Sequence, residues 1–192
     1  MFKKLLHLGL VLSILPGCAP VVVVTAATSA LVAQDRRTTG TIIEDKTIQI
    51  KAQQAINEQM KGHPKARVRA SSFNNRVLLV GQAPTFLRKD IELAVRDIEK
   101  VKQLHNEIID APVISLKQQS KDSLITTKIK SDMALEKEFN PTRVKVITEN
   151  GVVYLMGLVV PREEEIAVEI ARHTRGVHKV IKIFEYESRM SY

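Results

Sequence analysis

Apolar residues fall along this chain in two alternating rhythms, and the whole alternation occurs twice. Ile125, Ile129 and Met133 recur at i, i+4 and i+8, the spacing of one face of an amphipathic helix. Ile48, Ala52, Ala55, Ile56 and Met60 make a looser version of the same stripe. Gly62-His63-Pro64 and Phe139-Asn140-Pro141 end these two helices, and Ser123 is the expected cap at the start of the later one. Strand patterns follow at 67–71 and 143–148, then turns at Asn74-Asn75 and Glu149-Asn150-Gly151, whose residues tolerate positive φ. Returning strands are expected at 77–81 and 152–157, second helices at about 84–100 and 161–175. Final strands close each half at 103–109 and 179–186. In the last one Val180, Lys182, Phe184 and Tyr186 share a face, with Ile181 and Ile183 on the other.

A shift of 76 residues superposes the halves. Arg67-Val68 meets Arg143-Val144, and Val77, Leu79 and Gly81 meet Val153, Leu155 and Gly157. Arg96 then meets Arg172 and Val101 meets Val177, while Lys51 aligns better with Lys128, one residue out of step. A duplicated unit of about 70 residues explains this economically. The predicted class is α+β, with two tandem αββαβ domains whose three-stranded mixed sheets each pack on two helices. The expected boundaries are a domain at 45–111, a linker at 112–119, a second domain at 120–187 and a tail at 188–192. Residues 18–44, with Pro20, the apolar run Val21–Val24 and the polar stretch Asp35-Arg36-Arg37-Thr38-Thr39-Gly40, read as a flexible tether. Phe73 is compatible with an exposed turn or with a core, and Gly81 and Gly157 with backbone geometry at strand ends.

Composition narrows the function. At 44% hydrophobic, mostly aliphatic, the chain can bury a core without staples, and its single cysteine, Cys18, leaves the folded part without disulfides or thiol chemistry. Aromatic residues are 4% and tryptophan is absent, which argues against a base-stacking surface, and no nucleic-acid partner is expected. The four histidines of the folded part, His63, His105, His173 and His178, are scattered, so no metal site is expected. No nucleophile–base pair and no glycine-rich phosphate loop occurs. An enzyme is not expected.

The formal charge is +8. It divides unevenly, +5 over residues 46–111 and +1 over 117–187. A basic exported protein most economically meets anionic headgroups. Export is indicated by the cationic start Met1-Phe-Lys-Lys, the short apolar run Leu5–Ile14 and the small residue before Cys18. That run is too short to span a bilayer. Residues 1–17 are therefore expected to be a cleaved signal peptide. Leu15-Pro16-Gly17-Cys18 resembles a bacterial lipobox, in which Cys18 carries S-diacylglycerol and N-acyl (palmitate-type) groups, the only attached groups expected.

The duplicated unit resembles a tandem pair of BON domains over about residues 45–187. The resemblance is carried by Arg76-Val-Leu-Leu-Val-Gly81, by Thr148-Glu-Asn-Gly-Val-Val-Tyr-Leu-Met-Gly157 and by Leu124-Ile-Thr-Thr-Lys-Ile-Lys-Ser131. With the lipobox, the chain resembles the dual-BON outer-membrane lipoproteins. That resemblance implies a non-enzymatic, periplasm-facing, lipid-anchored protein that binds anionic phospholipid and supports envelope integrity. In that family the first helix of the second domain meets the lipid, with tryptophan at the leading apolar position in the best-known form. Here that position is Leu124, which lacks the interfacial ring. Alanine at residue 19 fits sorting to the outer membrane.

The candidate lipid-binding set is Lys121, Leu124, Ile125, Thr127, Lys128, Lys130 and Ser131. An exposed leucine beside lysines supplies apolar contact and attraction to phosphate. The alternative placement packs Leu124 beneath the linker and leaves the lysines merely solvated. Two other functions fit the sequence: a lipoprotein that holds an envelope partner such as the barrel-assembly machinery, and a membrane-perturbing or haemolytic lipoprotein. Glu163-Glu164-Glu165, at a helix start, suits the helix dipole.

Overall fold

A computed structural model describes residues 35–137 and 139–187. The signal peptide, Cys18, most of the expected tether and the tail lie outside these described residues. The chain runs α1 (Thr39–Gln59), β1 (Arg67–Phe73), β2 (Arg76–Gln82), α2 (Thr85–Arg96), β3 (Gln103–Ile109), α3 (Leu116–Leu135), β4 (Val144–Glu149), β5 (Val152–Val159), α4 (Pro161–His173) and β6 (Lys179–Tyr186). Two three-stranded sheets form, β1-β2-β3 and β4-β5-β6. In each, the central strand pairs antiparallel with its hairpin partner and parallel with the strand that follows the second helix. The α+β tandem architecture expected from the repeat is the one observed.

One face of each sheet carries that domain's helices. Ile48, Ala52 and Ile56 of α1 and Leu87, Ile91 and Val95 of α2 close over Val77, Leu79 and Ile108. Ile125, Ile129 and Met133 of α3 and Ala167 and Ala171 of α4 close over Val153, Leu155 and Val159. Burying an aliphatic side chain of this size contributes roughly 1.5–3 kcal/mol. The opposite faces of the two sheets pack on each other: Phe73, Leu78 and Val80 meet Ile147, Tyr154, Met156 and Ile183 in a third core. Phe73 is therefore a core residue, 3% exposed. The alternation of β6 has the same cause, because Val180 and Phe184 face the helices while Ile181 and Ile183 face the other domain.

Both hairpins turn through residues with positive φ, Asn74 and Asn75 at 52° and 62°, and Asn150 and Gly151 at 50° and 73°. Each turn is fixed by a buried carboxylate from the first helix of its own domain. Asp45 accepts from the Asn74 and Asn75 amides at 2.8 and 2.9 Å. Asp122 accepts from the Asn150 and Gly151 amides at 2.7 and 2.9 Å.

Four expectations are corrected. Residues 39–44 belong to α1 rather than to a tether, because Thr38 caps that helix by accepting from the Thr41 amide at 3.1 Å. The preceding residues are also held in place, with Arg37 paired at 2.8 Å to both Asp35 and Asp45 and stacked 3.8 Å over the Phe73 ring. Residues 116–119 are helical rather than linker. Ser115, not Ser123, caps α3 by accepting from the Gln118 amide at 3.2 Å, whereas Ser123 sits inside the helix and donates to the Gln119 carbonyl at 3.0 Å. The second helices are shorter than expected and end at Arg96 and His173.

Candidate functional site

Helix α3 buries one side and leaves the other open. Asp122, Ile125, Ile129 and Met133 are its buried residues. Lys117, Lys121, Leu124, Lys128, Ser131 and Leu135 recur at three- and four-residue steps on the exposed side. Leu124 is 70% exposed and Leu135 82%. Leu124 thus does not lie under the linker. Lys128 pairs with Asp132 at 2.6 Å one turn on, while Lys117 and Lys121 have no acidic partner among the described residues.

Beside this row the loop before β6 forms the other wall of a groove of about 550 Å³. Lys121, Leu124 and Lys128 line it from α3, and Arg175 and His178 from the loop. Gly176, at φ 94°, lets the loop come close: a Cβ there would stand 3.1 Å from Ile125 Cδ1. The groove is therefore cationic on both walls, with an exposed leucine between. That arrangement can accept an acyl-chain surface and the phosphates above it.

The structure divides the seven candidates. Lys121, Leu124 and Lys128 come together at this groove, and Ser131 continues their row. Ile125 is 6% exposed and belongs to the core, touching the groove only at its edge. Thr127 lies on a flank, donates to the Ser123 carbonyl at 2.9 Å, and borders a different groove shared with Arg67 and Arg69. Lys130 sits about 120° round the helix from Leu124 and lines a cleft against the first domain. Arg175 and His178 were missed, because nothing in the repeat marks the loop before β6 as neighbouring α3.

Charge at the domain boundary is organised by buried acids. Glu149 accepts from Arg67 and Arg69 at 2.7 Å and from Gln82 at 2.9 Å, all on the first domain. Burial alone would raise its pKa, but hydrogen bonds from Gln82, Arg69 and Arg67 outweigh this and hold it below the usual carboxylate range. Arg76 pairs with Glu185 at 3.0 Å. Glu163 is buried, bonded to Arg36 and Arg143, and accepts from the Val160 amide at 3.0 Å. It is a hub for ion pairs as well as an acid at a helix start. Among the described residues no group of three or more His, Cys, Asp or Glu is placed to hold a metal ion, and no helix is long and apolar enough to cross a membrane.

A family model described as the BON domain matches residues 44–110 and 121–188. The chain belongs to the BON-domain family. It is 43% identical over 173 residues to the outer membrane lipoprotein DolP of Haemophilus influenzae, covering 90% of each chain. It is also 38% identical over 153 residues to a protein of Actinobacillus pleuropneumoniae called the 21 kDa hemolysin, covering 79% of each. An uncharacterised protein of Anaplasma centrale is 33% identical over 146 residues, covering 72% of this chain and 92% of its own. Two BON domains and kinship along nearly the whole length make this chain a dual BON-domain outer-membrane lipoprotein.

Proposed function

We propose that this BON-domain protein is a non-enzymatic, periplasm-facing lipoprotein, held at the outer membrane by N-acyl and S-diacylglycerol groups on Cys18. Its second domain binds anionic phospholipid of the phosphatidylglycerol kind through the exposed side of α3, and this contact supports outer-membrane integrity. The observation that carries this reading is the row Lys117, Lys121, Leu124 and Lys128, with Leu124 standing 70% exposed between cations. Each lysine near an anionic surface contributes about 1 kcal/mol, so the helix alone makes a weak, reversible contact. The acyl anchor raises the local headgroup concentration and makes that contact effective. Leucine supplies apolar insertion without an interfacial ring, which keeps the contact shallow.

The test is binding of a fragment lacking residues 1–18 to phosphatidylglycerol vesicles and to phosphatidylcholine vesicles. Preference for phosphatidylglycerol, lost in Leu124→Glu with unchanged circular dichroism, is expected. Equal binding to both vesicles rejects the reading. The anchor is tested separately by the mass of the mature protein, which carries the acyl groups in the natural chain and lacks them in Cys18→Ala.

A further inference from the structure

About a third of a turn round α3 from Leu124, a cleft of about 320 Å³ opens between the two BON domains. Lys46 of α1, Lys130 of α3 and Lys145 of β4 line it, together with Arg37, Asp35 and Asp45. The cations outnumber the acids, and the acids are already committed. Asp35 accepts from Arg37 Nη2 at 2.8 Å. Asp45 accepts from Arg37 Nη1 at 2.8 Å, the Ser72 hydroxyl at 2.6 Å, and the Asn74 and Asn75 amides at 2.8 and 2.9 Å. Four donors fill the lone pairs of one carboxylate. None of the three lysines has a carboxylate partner among the described residues. Lys145 reaches only neutral acceptors, Gln49 Oε1 at 2.9 Å and the Ser72 carbonyl at 3.1 Å.

We propose that this interdomain cleft is a binding site for a phosphate-class anion, held by Lys46, Lys130 and Lys145. Three ammonium groups from three elements line one cleft where, among the described residues, no side chain of opposite sign is free to answer them, and a phosphate oxygen accepts from each. A phosphate would offset the repulsion and burial that Lys145 meets here. Burial pulls its pKa down to about 8, Asp45 opposes this, and the positive charges of Lys46, Arg37 and Lys130 reinforce it. Because Lys46 and Lys145 come from different domains, an anion here ties the two BON domains together. The site is distinct from the outer row of α3, and it accounts for Lys130, which the structure separates from that row.

The test is amide NMR of the full anchored chain in non-ionic detergent micelles, titrated with inorganic phosphate against chloride at matched ionic strength. Saturable shifts at Gln49, Ser72 and Thr142 with phosphate alone are expected. Lys130→Gln, an exposed change, should weaken binding on the order of tenfold, the loss of one charge-assisted hydrogen bond. A second arm uses the Leu124→Glu variant, so that failure of the outer lipid contact does not touch the result, with phosphatidylglycerol mixed into the micelles. A stronger response to the lipid identifies a headgroup as the anion, and a stronger response to inorganic phosphate identifies a free one. Shifts that never saturate, or that chloride reproduces, overturn the proposal. An affinity unchanged in both Lys130→Gln and Lys46→Gln does the same.

Discussion

The two BON domains share a plan and differ on one helix face. Asp45 and Asp122, a shift of 77 residues apart, do the same work at the two hairpin turns. Carried across the same shift, Lys121 corresponds to Glu44 and Leu124 to Thr47. Glu44 is held by Lys100 at 2.6 Å and by Asn75 at 3.2 Å, so where the second domain presents a lysine the first presents a neutralised carboxylate, beside a polar Thr47. The second leaves lysines and a leucine open. Net charge points the other way, +5 for the first domain's residues 46–111 against +1 for the second's 117–187. The contradiction resolves at the boundary. Arg67, Arg69 and Arg76 of the first domain are consumed by Glu149 and Glu185 of the second. Charge counted per domain is therefore a poor guide to charge available at a surface.

The most severe way to break the symmetry lies at the paired glycines. A Cβ on Gly81, at φ 135°, would stand 2.0 Å from the Arg67 carbonyl oxygen, whereas one on Gly157 would stand 2.7 Å from the Arg143 oxygen, with no left-handed φ. Backbone oxygen cannot swing aside as a side chain does. Gly81→Ala is expected to cost on the order of 3 kcal/mol, and Gly157→Ala less, by urea unfolding of the whole chain. Equal costs would show that the two strand ends are interchangeable.

Next come the turn anchors. Asp45→Ala removes the acceptor for two turn amides, the Ser72 hydroxyl and Arg37. Asp122→Ala removes the acceptor for two amides and the Gln118 side chain, which bonds at 2.9 Å. Leaving such buried donors unpaired costs about 1–3 kcal/mol, with Asp45→Ala at the upper end because Arg37 also loses one of its two carboxylate partners and keeps only Asp35. Hydrogen exchange at Asn75 and at Gly151 reads each turn separately. A larger effect at the second turn would contradict the count of bonds.

These anchors also mark where the sequence stopped being legible. Elements spaced by apolar rhythm could be read, because Ile125, Ile129 and Met133 fix a helix face without reference to anything distant. Both turns could be read from Asn74-Asn75 and Asn150-Gly151, where local backbone preference decides. The starts of each domain's first helix could not. Thr38 and Ser115 are the caps, whereas Ser123, the expected one, lies inside a helix that begins two turns earlier. The sheet-to-sheet core was hidden in plain view: strands apolar on both faces, such as Leu78 and Val80 beside Val77 and Leu79, need cover on both. Asp45 and Asp122 were recoverable from the one-residue slip that aligns Lys51 with Lys128. The partners of Glu149 and Glu163 were not, since no local pattern says which arginine a distant carboxylate will meet.

The boundary itself responds to acid. Glu149 has its folded pKa below its unfolded value despite burial. Its contribution is thus fully present above the unfolded carboxylate range of about pH 4–5 and is lost as pH falls through the folded pKa. Acid should loosen the contact between the domains before it melts either helix-covered core. Glu149→Gln is expected to lower stability at neutral pH and to flatten the acid limb, seen as a smaller change in unfolding free energy between neutral pH and pH values below that range. An acid limb identical in the variant would place the linkage elsewhere.

The smallest expected effect is the most direct test of the comparison. If an open cationic–apolar face is what separates the domains, it can be transplanted. Glu44→Lys with Thr47→Leu gives α1 the chemistry of Lys121 and Leu124, and it also frees Lys100, which Glu44 otherwise neutralises. In a Leu124→Glu background, where the second domain's face is disabled, this double change should restore part of the binding to phosphatidylglycerol vesicles. The gain expected from one added lysine is about 1 kcal/mol, a few-fold in affinity. Glu44→Lys alone should give less, because headgroup attraction without an inserted side chain is screened by salt. Restoration that disappears at high salt in the single variant but persists in the double one would show that both halves of the chemistry are needed. If the double change restores nothing, the face alone does not make the site, and the loop carrying Arg175 and His178 becomes the part the first domain lacks.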